Sequence, residues 1–148
     1  MSYKEESSED VCNNFGQLYW HDSRIINLHL LKDSANRKYN LELDVDLFEK
    51  NLSGKLERKG KTIIFKECRI VQLDFDILGL LFCNGDISNA VCYKDAVKLE
   101  NEKRGKLKHF DFPDTFNPLE KCLGFSIEMI HPAGEILIFA RTFEVHQR

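Results

Sequence analysis

The residues with the clearest potential for chemistry are His21 and Asp22, within the run Tyr19-Trp20-His21-Asp22-Ser23. A histidine beside a carboxylate can bind a metal ion or act as a general base. The other four histidines have no metal-ligand spacing to this pair. The same residues can be structural, with Asp22 and Ser23 capping a turn, Trp20 filling the core and His21 making a hydrogen bond. We favour the structural interpretation and keep the catalytic one as an alternative.

A second group of possible ligands is His109, Asp111 and Asp114, which could offer nitrogen and oxygen atoms on one loop. The phenylalanines between them indicate a packed loop instead. The sequence also lacks the glycine-rich phosphate loops, the His-Glu-x-x-His motif and the Gly-x-Ser-x-Gly motif of common enzyme classes. We therefore expect no metal, no cofactor and no catalytic residue.

Charge is distributed locally rather than globally. The 148 residues carry a net charge of -3, which residues 1–12 account for. The rest is neutral, with basic stretches at 55–69 and 94–108. These stretches contain few aromatic residues, so we expect solvated faces rather than a nucleic-acid site. The longest nearly apolar run, Ile77–Cys83, is far shorter than the roughly 20 residues that span a bilayer.

The cysteines and the N-terminus predict a cytoplasmic protein. Five cysteines are present, an odd number, without a Cys-x-x-Cys pair. Four of them (Cys68, Cys83, Cys92 and Cys122) stand in apolar runs, where a free thiol acts as a small hydrophobic group. The acidic N-terminus has no apolar segment typical of a signal peptide.

Alternation of apolar and polar residues predicts most of the elements that must position these groups. It is clearest in Tyr39–Leu47, where Glu42, Asp44 and Asp46 would form an acidic, exposed face. The pattern predicts further strands at 24–32, 62–77, 86–93, 123–129 and 136–145, and a short helix at 95–104. The segment 77–93, with Asn84-Gly85 at its centre, predicts a hairpin, or alternatively a short helix over Ile77–Phe82.

These elements indicate an α+β fold that is mainly β. We expect a curled antiparallel sheet or a two-sheet sandwich of six to seven strands, with one or two short helices. A bulge between Lys66 and Ile70 should exchange the two faces of the long strand 62–77. Residues 1–12 should form a disordered acidic tail, and residues 13–148 a single β-rich domain.

The motif Tyr19-Trp20-His21-Asp22-Ser23, followed by the strand Arg24–Leu31 and a terminal hairpin ending in Ile136–Ala140, carries a resemblance. From Tyr19 to Val145 the chain resembles small bacterial proteins that open on an aromatic-His-Asp-Ser or Ala motif. Some of these are immunity proteins of polymorphic toxin systems. The resemblance implies a cytoplasmic antidote that binds its cognate toxin and performs no chemistry.

Three functions follow as expectations. The first is a non-catalytic binding module with a protein partner, whose candidate binding residues are Trp20, His21, Asp22, Ser23, Glu42, Asp44 and Asp46. The second is a metal-assisted hydrolase that uses His21 and Asp22. The third is a small-ligand binder whose curled sheet encloses a pocket lined by Phe65, Phe75, Phe125 and Phe139. The sequence leaves the oligomeric state open.

Overall fold

A computed structural model describes residues 7–33, 38–82, 85–96, 98–99 and 122–148. Within these ranges the chain forms two helices and eight strands. In chain order they are α1 Ser8–Gln17, β1 Tyr19–Asp33, β2 Lys38–Lys50, β3 Leu56–Cys68, β4 Ile70–Asp74, α2 Ile77–Phe82, β5 Asp86–Tyr93, β6 Leu123–His131, β7 Ala133–Ala140 and β8 Thr142–Gln147. The fold is therefore mainly β, as expected.

The strands form one antiparallel sheet in the order β4-β7-β6-β5-β1-β2-β3-β8. The strand count is eight rather than six to seven because the predicted strands 62–77 and 136–145 are each interrupted. Only Arg69 separates β3 from β4, and only Arg141 separates β7 from β8. The Arg69 N–H donates to the Phe139 carbonyl at 2.7 Å, and the Arg141 N–H to the Lys66 carbonyl at 3.0 Å. These bonds hold the two ends of the strand order together, so the sheet is strongly curled.

The predicted bulge in the long strand is present, but its expected effect is wrong. Glu67, near the end of β3, adopts a positive φ of 53°, and the register against β2 shifts between Phe65 and Cys68. Phe65 before the bulge and Val71 after it nevertheless pack on the same core. Odd-numbered side chains therefore face the same core before and after the bulge, and the two faces of the strand are not exchanged.

Glu67 also anchors this bulge electrostatically. Its carboxylate lies 2.5 Å from Lys38 Nζ and 3.4 Å from Arg141 Nη1. The Glu67 N–H donates to Asn40 Oδ1 at 3.1 Å. The hydrogen bond from Lys38, reinforced by the charge of Arg141, lowers the pKa of Glu67 below its ordinary value.

Residues 8–12, which the sequence assigned to a disordered acidic tail, belong to helix α1. The Ser7 hydroxyl accepts a hydrogen bond from the Asp10 N–H at 3.2 Å, which caps the helix. Glu9 and Asp10 stand in the first turn, where carboxylates interact favourably with the helix dipole. Residues 1–6 lie outside the described residues.

Helix α1 packs inside the curl, on the side of the sheet that we call the inner face. Phe15 is fully buried, with its ring centroid 4.7 Å from that of Trp20, 5.0 Å from Phe125 and 5.4 Å from Phe143. The inner-facing residues of β2 alternate with residues on the opposite side, the outer face. One helix thus fills the concave side of the sheet.

The hairpin predicted over 77–93 is wrong, and the alternative helix is present as α2. Asp76 begins it, since its carboxylate accepts the Leu78 N–H at 3.0 Å and its carbonyl accepts the Gly79 N–H at 2.9 Å. After the helix, Gly85 has a φ of 65° and its carbonyl accepts the Ile25 N–H at 2.9 Å. The segment thus begins with a helix capped by Asp76 instead of the first strand of a hairpin turning at Asn84-Gly85.

The predicted helix 95–104 is described only at its start, where the Asp95 carbonyl accepts the N–H groups of Lys98 and Leu99. Its remainder, the basic stretch beyond it and the predicted loop with His109, Asp111 and Asp114 lie outside the described residues. Leu99 and Ala96 pack with residues of β4 and β7 in a second, smaller core on the outer face.

Candidate functional site

The Tyr19–Ser23 motif forms a wide bulge in β1. Tyr19 pairs with Phe48 of β2 and Arg24 pairs with Asp46, so five steps along β1 correspond to two steps along β2. Three extra residues are therefore displaced from the ladder. At the tip, Asp22 has a φ of 63°, a conformation that Asp tolerates better than most residues.

Two residues of the motif hold this bulge from inside. Trp20 is 5% exposed, and its Nε1 donates to the Phe15 carbonyl at 2.8 Å. Ser23 is fully buried; its hydroxyl donates to the Tyr19 carbonyl and accepts the Phe48 N–H at 3.3 Å. Trp20 and Ser23 are thus buried and hold the bulge through internal hydrogen bonds.

The other two residues, His21 and Asp22, are displayed to solvent. Their side chains are 70% and 65% exposed, and His21 Nε2 lies 3.5 Å from Asp22 Oδ2. His21 Nδ1 lies 3.0 Å from the Ser88 carbonyl of β5, to which it can donate. The pair is therefore exposed on the surface formed by the described residues.

The acidic residues of β2 lie on the outer face, as the alternation predicted. Glu42 is half-buried, and Asp44 accepts the Thr62 hydroxyl at 2.8 Å. Asp46 lies 2.6 Å from Arg148 Nη2. Among the described residues, Glu42 has no ion-pair partner, whereas Asp46 is paired with Arg148.

Arg58 of β3 contacts both the bulge and the outer side of β2, next to the acidic residues. Arg58 pairs with Phe48 across β2 and β3, and its guanidinium carbon lies 4.9 Å from the Phe48 ring centroid. The same guanidinium donates to the Asp22 carbonyl at 3.2 Å. The backbone of Asp22 therefore lies beside the outer face.

Sequence reasoning missed the contribution of β8 to this face. Glu144 pairs with Ile64, and His146 with Thr62. The hydrogen bond from His146, together with Lys66, lowers the pKa of Glu144 below its ordinary value. Only the register of β8 against β3 could have placed these residues beside the acidic strand.

Carboxylates outnumber cations on this surface. We define the acidic face as the bulge tip and the outer side of the sheet around Glu42, Asp44 and Asp46, including Glu144 and its neighbours; Lys38 and Lys50, at the two ends of β2, lie beyond it. Its carboxylates are Asp22, Glu42, Asp44, Asp46 and Glu144, its cations are Arg58, Lys66 and Arg148, and Arg24 forms an ion pair with Asp86 at 3.2 Å. Carboxylates therefore outnumber Lys and Arg side chains in this central region of the sheet.

The pocket expected between Phe65, Phe75, Phe125 and Phe139 is absent from the described residues. Phe65 and Phe125 are fully buried with ring centroids 5.0 Å apart, and Phe15 of α1 packs against both. Phe139 belongs to the second core on the outer face. The interior of the curl is therefore filled by side chains.

The described thiols of the apolar runs are structural in character. Burial raises the pKa of Cys68 to about 11 and also raises the pKa values of Cys92 and Cys122. A thiol with a raised pKa is a poor nucleophile near neutral pH. Cys83 lies outside the described residues.

Neither metal ligands, a membrane-spanning helix nor a related protein identifies a function for the described residues. Among the residues that the structure describes, no three His, Cys, Asp or Glu side chains come together as metal ligands. None of the described helices has the length and apolar character needed to cross a membrane. No protein family, curated protein or solved structure matches the chain.

Proposed function

We propose that this chain is a non-catalytic binding module that holds a basic protein partner on its acidic face. The observation that carries the proposal is the placement of Asp22, Glu42, Asp44 and Asp46 on one continuous surface. Complementary charge across an interface speeds association and selects among partners. The proposal also accounts for the exposed His21-Asp22 pair without assigning it a reaction.

The partner class follows from this charge and from the resemblance to immunity proteins. A cognate toxin with a basic surface, neutralised in the cytoplasm, fits both. In this proposal Trp20 and Ser23 build the bulge, while His21 and Asp22 contact the partner. The neighbouring gene is the first place to seek that partner.

Glu42→Lys is the sharpest test, because Glu42 is the carboxylate of β2 for which the described residues provide no ion pair. Binding of the purified neighbouring gene product would be measured by calorimetry at low and high salt. We expect about a ten-fold loss of affinity at low salt and a weaker salt dependence. Asp74→Lys, on the opposite half of the sheet, is the matched control and should leave both quantities unchanged.

The results can contradict the proposal in two ways. If Glu42→Lys binds the partner as tightly as the wild type at every salt concentration, the acidic face is not the contact. If Asp74→Lys weakens binding equally, the effect comes from net charge rather than from this surface.

A further inference from the structure

A cavity separate from the acidic face lies at the open end of the curled sheet, beside the C-terminal end of α1. We call this end of the sheet the mouth. The cavity volume is about 310 Å³, and it opens between the β2–β3 hairpin, β8 and the junction of α1 with β1. Pockets that bind small molecules begin at about 300 Å³. Much of the wall is apolar, formed by Leu18, Tyr19, Leu47 and Val145.

One cation is buried at this mouth. Lys61 lies on the inner face of β3, opposite Val45 and Gln147, and is 9% exposed. Lys61 points to the same side of β3 as the buried apolar residue Ile63, two positions further along the strand. Burying an ammonium group is costly unless it is paired and hydrogen-bonded.

The pairing that the protein supplies to Lys61 is weak. Among the described residues its ion-pair partner is Glu49, with Nζ 3.5 Å from Oε2. Glu49 is 45% exposed on its side chain and also lies 3.9 Å from Lys59 Nζ. An ammonium group has three N–H donors, so one long and shared contact leaves it able to receive another anion.

We propose that this cavity binds a small apolar carboxylate. Its carboxylate group would lie beside Lys61 Nζ, and its apolar body would pack against Leu18, Tyr19 and Val145. The ligand carboxylate would displace Glu49, which also lines the cavity, as the ion-pair partner of Lys61, and the small volume admits one ring or a short alkyl chain. The site is separate from the acidic face and does not depend on the proposed function.

The first experiment titrates the full chain with benzoate and with hexanoate, followed by amide chemical shifts in NMR. We expect saturable shifts at Tyr19, Lys61 and Val145. Benzyl alcohol is the neutral counterpart of benzoate and should bind about ten-fold more weakly, a difference of about 1.4 kcal/mol. Equal affinities for the two would overturn the proposal, because the charge of Lys61 would then play no part.

Two variants separate a ligand site from a purely structural lysine. Lys61→Met removes the charge and keeps an unbranched side chain, so benzoate should bind about ten-fold more weakly. Glu49→Gln removes the carboxylate that competes for Lys61, so benzoate should bind more tightly. Lys66→Met, a lysine of the same strand that pairs with Glu144 and does not line the cavity, is the control and should change affinity by less than about two-fold.

Each remaining outcome decides the question. Tighter binding by Glu49→Gln supports the site even if Lys61→Met fails to fold. Unchanged or weaker binding by Glu49→Gln refutes it, as does a folded Lys61→Met protein with wild-type affinity. Absence of benzoate and hexanoate binding by both the wild type and Glu49→Gln also refutes it.

Discussion

Replacement of Ser23 by alanine tests whether the aromatic-His-Asp-Ser motif is a structural device. The Ser23 hydroxyl is buried and bridges the two sides of the bulge, from the Tyr19 carbonyl to the Phe48 N–H. Ser23→Ala removes both contacts and introduces no new polar group. Water cannot replace the hydroxyl easily, because the residue has no exposed surface.

The expected loss can be worked from these two contacts. A buried backbone group left without its partner costs about 1–3 kcal/mol. The Phe48 N–H contact is long, at 3.3 Å, so we assign it the lower end of that range. The sum is about 2–4 kcal/mol, a large share of the roughly 5–15 kcal/mol that holds a domain folded.

Urea unfolding measures this loss, with fluorescence of Trp20 as the probe. Trp20 is the only tryptophan, and it is buried directly beside the bulge. The control is Ser53→Ala in the exposed β2–β3 turn, which should change the free energy of unfolding by less than about 0.5 kcal/mol. If Ser23→Ala were as stable as that control, with an unchanged dependence on urea, the hydroxyl would not hold the bulge.

Two further predictions concern the turn after α2 and the bulge between β3 and β4. Gly85→Ala should destabilise the protein by more than about 2 kcal/mol in urea unfolding, since the residue has a positive φ and a Cβ there would lie 2.4 Å from the Ile25 carbonyl oxygen. Gly16→Ala, in α1 with no atom within 4 Å of the added carbon, should instead stabilise it by about 0.5–1 kcal/mol, and equal effects would refute the steric argument. Glu67→Gln removes a carboxylate whose pKa Lys38 lowers, so it should cost stability at neutral pH. The difference in free energy of unfolding between the wild type and Glu67→Gln should shrink as pH falls below the ordinary pKa of 4.5 and through the lowered pKa of the folded state. A difference that stays constant down to acid pH would contradict this reasoning.

Much of the fold could be predicted from local pattern. The alternation in Tyr39–Leu47 correctly gave a strand with a buried side and an acidic side. The bulge before Ile70 was also visible, since apolar residues of both parities occur there. Its effect on the faces was not, because the number of displaced residues depends on pairing with β7 and β8 rather than on the strand itself.

In the candidate site, too, residue types could be predicted from the sequence, whereas their positions depend on strand pairing. His21 and Asp22 could be singled out by residue type, but their exposure depends on Ser23 and on the Phe48 N–H, 25 positions away in the sequence. Glu144 and His146 could not be assigned to this face at all. They reach it through the register of β8 against β3.

The sequence by itself determined the mainly β class and the acidic row on β2. These depend on side chains a few positions apart, whose spacing decides which way each one points. The tertiary structure alone decided the curl of the sheet, the display of the His21-Asp22 pair and the burial of Lys61 at the mouth. Those features arise where distant segments meet, and the burial of a charged or polar group is a property of everything that surrounds it.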